Sequence, residues 1–150
     1  MPKRKISAAE GKRFGTTTIA PEKSMFDIQG VLAKYKVTAS QWTNLPDRHI
    51  LRFRLDSRNY LFVIPVHPAD RQETRRLLRV LYWYLDTMLA ALDSDLFSAD
   101  RVFLAFAEVA PDITMADALE SQSGYAAIRS ALGGRMLALE AAEEEVPRCE

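Results

Sequence analysis

His49-Ile50-Leu51-Arg52-Phe53-Arg54-Leu55, then Asp56-Ser57-Arg58-Asn59, then Tyr60-Leu61-Phe62-Val63-Ile64-Pro65-Val66 is the run that decides the fold. In its first third Leu51, Phe53 and Leu55 point one way and Arg52 and Arg54 the other, the period of a half-buried strand. Asp56 to Asn59 is a cluster of turn formers, with Asn59 the expected left-handed residue. Tyr60 to Val66 returns as a strand, apolar on both faces, until Pro65 ends it or marks an edge. Upstream, Val37 to Trp42 supplies a first strand, joined to the hairpin through Asn44, Pro46 and Asp47, which disfavour strand continuation.

Helical spacing takes over on both sides of this sheet. Pro21 suits a first helical turn, where its missing N–H has no partner to lose, and Glu22 complements the helix dipole. Met25, Ile28, Val31, Leu32 and Tyr35 then form one apolar face, which predicts a helix ending near Tyr35 or Lys36. Pro68 through Asp93 is the longest expected helix. Leu77, Leu78, Leu81, Leu85, Met88 and Leu92 face the core, while Gln72, Arg76, Arg79, Trp83 and Asp86 share the opposite side. A third helix is expected from an N-cap at Ser98 to Ala110, interrupted by Pro111-Asp112. Thr114 caps a fourth helix containing Met115, Leu119, Tyr125 and Ile128, which Gly133-Gly134 stops.

These elements predict an α+β fold: an N-terminal helix, about three antiparallel strands with a β-hairpin, then a long helix and further C-terminal helices. The single domain is expected over residues 21–134. Residues 1–20 carry like charges and few apolar side chains, the pattern of a flexible basic arm, and 135–150 read as an acidic tail or short helix.

Composition bounds the function. A chain of 150 residues with 48% hydrophobic content can bury one core without disulfides or a structural metal. Its one cysteine, Cys149, excludes a disulfide framework and a multi-cysteine zinc site. No apolar run approaches the roughly 18–20 residues of a membrane span, and no signal-peptide core is visible, so a soluble, cytoplasmic protein is expected. The balanced total charge hides a split. Residues 1–80 hold sixteen basic and seven acidic residues, net +9, and residues 81–150 hold four and thirteen, net −9. Such asymmetry points to a polyanion partner, or to pairing between the two halves.

Motifs for catalysis are sparse. Phosphate-loop, nucleophile-elbow and zinc-protease motifs do not occur. His67 with Asp70 three residues on has the spacing of an oriented general base, and His49 is the second neutral-pH base. That pair underlies a hydrolase reading ranked third, and metal binding by His49, His67 and Asp70 ranks below it. Glu108, Asp112 and Asp117 are expected to cap helix ends and meet solvent. No catalytic residue, metal or cofactor is assigned.

The stronger constellation is basic with aromatic residues between. Arg71, Arg75 and Arg79 recur every fourth residue, Arg76 broadens the stripe, and Trp83 lies one turn further on. A guanidinium fork suits phosphate and an indole can stack on an unpaired base. Arg52 and Arg54 on one strand face extend the surface, as do Lys3, Arg4, Lys5, Lys12 and Arg13 of the arm. The competing expectation pairs these arginines with the acidic half and buries Trp83 against the third helix. A further alternative is a protein-interaction or self-assembling subunit, since Tyr82, Trp83, Tyr84 and Leu89 make the long helix apolar over more than one face. The clustered Glu140, Glu143, Glu144 and Glu145 raise the opposite option, an acidic half that mimics nucleic acid.

The run Thr17-Thr18-Ile19-Ala20-Pro21-Glu22-Lys23-Ser24, then Asp27-Ile28 and Val31-Leu32-Ala33-Lys34-Tyr35, resembles a group of small uncharacterised proteins from phages and integrated mobile elements. The hairpin ending in Phe62-Val63-Ile64-Pro65 and the Arg-rich helix follow in similar order, so the resemblance covers about residues 16–110. It implies a prokaryotic or viral setting and supplies no activity, cofactor or site residue. The expected function is a non-enzymatic accessory protein that binds nucleic acid through its basic half, in phage or mobile-element DNA metabolism.

Overall fold

Three strands lie between two long helices, and that odd number sets the geometry of everything else. The computed structural model describes Ala9, residues 11–37, residues 39–121 and Ala126. Helix α1 runs Pro21–Lys34, strands β1, β2 and β3 run Ala39–Asn44, Arg48–Leu55 and Arg58–Pro65, and helix α2 runs Arg71–Asp93. The strands form one antiparallel sheet in the order β1-β2-β3. Each strand reverses the chain, so α2 emerges pointing the same way as α1. Two ion pairs hold that arrangement: Asp27 to Arg79 at 2.9 Å and Lys34 to Asp86 at 3.6 Å, advancing by the same step along both helices. The protein is therefore α+β, with α1 ahead of the sheet and helices after it.

The β2–β3 hairpin forms as its alternation requires, but its turn is tighter than the four residues expected. Leu55 pairs directly with Arg58, leaving Asp56 and Ser57 as a two-residue turn. Both have positive φ, 48° and 68°, the mirror-image turn whose twist matches the strands it joins. Asn59 is an ordinary strand residue, so the left-handed position falls to Asp56 and Ser57 instead. The first strand starts later than expected, at Ala39, and runs on to Asn44.

The inner sheet face meets both helices. Ile28, Val31 and Leu32 of α1, Leu51, Phe53, Tyr60, Phe62 and Ile64 of the sheet, and Leu78, Leu81, Leu85 and Leu89 of α2 make one core. Leu89 belongs to the buried stripe, while Leu77, Met88 and Leu92 flank it half-buried. α2 starts at Arg71, not Pro68, because Asp70 caps it, its carboxylate accepting from the Glu73 N–H.

Beyond α2 the expected third helix is cut short. Helix α3 spans only Ala99–Phe103, a 3₁₀ turn covers Leu104–Phe106, and strand β4, Glu108–Ala110, pairs with β5, Ile113–Thr114. Pro111-Asp112 is the turn of that small hairpin, with Asp112 at φ 59°, and not an interruption of a helix. Tyr60 bridges to Ala107, so the hairpin attaches at the β3 edge. Phe103 is fully buried there, against Phe53 and Tyr60, with ring centroids 5.7 and 5.5 Å away. Helix α4, Met115–Glu120, starts at the expected Thr114 cap, and Asp117 makes that cap reciprocal. Residues Tyr125 and Ile128, Gly133-Gly134, the acidic 135–150 segment and Cys149 lie outside the described residues, as do Lys3, Arg4 and Lys5.

Candidate anion-binding cleft

The parallel course of α1 and α2 brings both helix N-termini to one end of the molecule. The β1–β2 turn and the end of β3 arrive at that same end. Between them lies a cleft of about 580 Å³, lined by Ala20, Pro21, Glu22 and Met25 at the start of α1 and by Pro68, Arg71, Thr74 and Arg75 at the start of α2. Asn44 and His49 close it from the β1–β2 end, and Val66 and His67 from the end of β3. A volume in this range is ordinary for a small-ligand site.

The electrostatics of the cleft are one-sided. The α1 N-terminus carries unsatisfied N–H groups and roughly half a positive charge, whereas the Asp70 carboxylate caps the N-terminus of α2. Ala20, at the α1 N-cap, supplies no side-chain cap. Arg71 and Arg75 sit one turn apart on α2, and among the described residues neither has an ion-pair partner. The Arg75 Nε is buried without any hydrogen-bond acceptor. Glu22, the one carboxylate on the lining, is solvent-exposed. Burial pushes the His49 imidazole below its ordinary pKa, against the weaker pull of Glu22, and its Nδ1 lies 2.9 Å from Asn44 Oδ1.

The charge order along α2 is the reverse of what a helix prefers. Arg71, Arg75, Arg76 and Arg79 occupy its N-terminal half, and Asp86 and Asp93 its C-terminal half, with no basic residue in the last turn. Cations near a helix N-terminus oppose the macrodipole. For two of these arginines a local partner offsets the mismatch. Arg76 forks onto Glu73 at 2.7 and 2.8 Å, and Arg79 reaches Asp27. Arg76 holds the Glu73 carboxyl below its usual range despite burial, and Lys23 and Arg79 do the same for Asp27. Among the described residues Arg71 and Arg75 have no such offset.

The expected basic stripe thus divides. Arg76 and Arg79 are committed inside the fold, to acids of the basic half and not to the acidic half. Arg52 is also committed, to Glu108 at 3.1 Å and Asp112 at 2.7 Å, so these two carboxylates clamp an arginine instead of capping helix ends. The Asp112 N–H and Arg52 together outweigh the burial that would raise Glu108. Arg54 is exposed on the outer sheet face, away from the cleft lining.

Trp83 is not buried against the third helix. It is 43% exposed, and the ring nearly parallel to it, 6.4 Å away, is Phe14 of the N-terminal segment. That segment is docked where a free arm was expected. Gln72 Nε2 donates to the carbonyls of Gly15 and Thr17 at 3.0 and 2.7 Å. Lys12 lies 3.9 Å from Glu73, and the Arg13 guanidinium sits over the Phe14 ring. His67 and Asp70 take part in the helix start: the His67 N–H donates to Thr74 Oγ1 and the Asp70 carboxylate caps α2. Among the described residues no three His, Cys, Asp or Glu side chains gather as metal ligands.

No family model, no curated protein and no solved structure matches this chain. Among the described residues no helix is long and apolar enough to cross a membrane.

Proposed function

We propose that this protein is a non-enzymatic nucleic-acid-binding accessory protein, with Arg71 and Arg75 in the cleft as its principal phosphate contacts. The observation that carries this reading is a pair of arginines without ion-pair partners among the described residues, set where two helix N-termini converge. Charge-assisted donors aimed into one cleft are what a phosphate oxygen requires. The exposed Arg54, together with Lys12 and Arg13, offers secondary backbone contacts, and the basic half as a whole supplies steering. A role in phage or mobile-element DNA metabolism, in the cytoplasm, belongs to the same proposal.

Fluorescence anisotropy against single- and double-stranded DNA and RNA oligonucleotides, at low and moderate salt, tests it. Log affinity is expected to fall with log salt by about 0.7–0.9 per phosphate neutralised. Arg71→Ala and Arg75→Ala flatten that slope, whereas Arg54→Ala changes it less. Absence of binding at low salt, or a slope unchanged in the double variant, overturns the assignment. Self-assembly is the second reading, favoured by Phe26, which is 72% exposed on α1, and by the half-exposed Trp83. Light scattering on the same samples decides it, since a monomeric parent removes that reading.

A further inference from the structure

The cleft is concave, and concavity selects among phosphates. An internal phosphodiester carries one negative charge and leaves through two ester oxygens, so the strand must pass on both sides of the bound group. Here the α1 first turn, the α2 first turn and the β1–β2 end wall the space on three sides. A terminal phosphomonoester is attached on one side only. It presents three free oxygens and about −1.5 to −2 charges near neutral pH.

The donors match that count better than they match a diester. Arg71 and Arg75 project from consecutive turns of α2, and each guanidinium carries several fixed N–H groups. The α1 first turn adds backbone N–H groups, since Pro21 occupies the position that has none to offer and Ala20 provides no cap. The Arg75 Nε is buried and unpartnered, which leaves the outer N–H groups of its fork as the donors on the cleft lining. The remaining walls suit what a phosphomonoester is attached to. Pro21, Met25, Val66 and Pro68 are apolar surfaces for a sugar or base, and Asn44 places a polar edge beside them.

We infer that the cleft receives a nucleotide phosphomonoester, either the phosphorylated end of a nucleic-acid strand or a free mononucleotide, in preference to an internal phosphodiester. The strand-end form rests on the nucleic-acid reading above, and the mononucleotide form does not. For a strand, the end sits in the cleft and the chain leaves past the exposed His67 and Arg71 at its rim.

The test compares one oligonucleotide in three versions, 5′-phosphorylated, 3′-phosphorylated and unphosphorylated, by anisotropy, with adenosine 5′-monophosphate and inorganic phosphate titrated calorimetrically in a zwitterionic buffer. One phosphorylated version is expected to bind about tenfold tighter than the unphosphorylated strand. Arg75→Ala is expected to erase that difference, and Arg75→Lys to restore only part of it, because an ammonium lacks the fork. Arg71→Ala, at an exposed position, repeats the experiment in a variant whose core is untouched. Equal affinity for all three strands overturns the strand-end form while leaving nucleic-acid binding intact. Arginine-dependent binding of the mononucleotide without any oligonucleotide binding supports the cleft and overturns the nucleic-acid reading. Silence of all five ligands overturns both.

Discussion

Glu73 is buried on the first turn of α2, with Arg76 forked onto it and Lys12 nearby. Removing Arg76 strands a carboxylate in the protein, the situation in which loss of one partner is most costly. Arg76→Met is expected to destabilise the fold by about 3 kcal/mol at pH 7, read by urea denaturation. The pH dependence has a definite sign. Arg76 lowers the folded-state pKa of Glu73 below its ordinary 4.5, so its stabilisation is full above that value and is lost as pH falls through the folded-state value. In the variant, burial raises Glu73 against only the weaker pull of Lys12 and His67, so the gap between parent and variant narrows by pH 4. A gap that stays constant from pH 7 to pH 4 contradicts this account. Arg71 behaves oppositely. It opposes the α2 dipole from an exposed position, so Arg71→Ala is expected to raise the melting temperature by about 1–2 °C while weakening anion binding. On the proposed function, the stability that Arg71 costs is offset by the anion it binds.

At the scale of elements, the β2–β3 turn places Ser57 at φ 68°, where a side chain is strained and glycine is not. Ser57→Gly is expected to stabilise the hairpin by about 1 kcal/mol, seen as a higher denaturation midpoint with an unchanged slope. The N-terminal segment is held to α2 through Gln72. Gln72→Ala is expected to speed tryptic cleavage after Lys12 and Arg13 without altering global stability by more than about 1 kcal/mol. These two elements also mark where the sequence is legible. Period-two alternation from Leu51 to Leu55 fixes a strand from local chemistry, and Asp70 and Thr114 cap helices as their side chains require. The β4–β5 hairpin is too short for any period to emerge, and its one local signal was Pro111-Asp112, a turn pair that fits a hairpin as well as a helix break. The fate of the arginines was not legible either. Asp27 meets Arg79 across 52 positions of sequence, and no helical wheel contains a partner on another element.

At the scale of the whole molecule, Phe103 ties the C-terminal half to the sheet, touching Phe53, Tyr60, Phe62 and Tyr84. Phe103→Ala is expected to cost about 3–5 kcal/mol in one cooperative transition, because the cavity opens where sheet, α2 and α3 meet. A separate early transition for residues beyond α2 contradicts a shared core. The cleft likewise exists only at this scale. None of its lining segments carries a binding motif, and it follows from topology: two helices separated by an odd number of antiparallel strands must begin at the same end. That topology also gives the molecule a compass. Both long helices point their positive ends the same way, and the side-chain charges of α2, arginine first and aspartate last, add to this polarity where helices usually cancel it. For the nucleic-acid partner proposed above, this polarity of the two helices predicts a cleft-first approach, so added salt is expected to slow association more than it speeds dissociation.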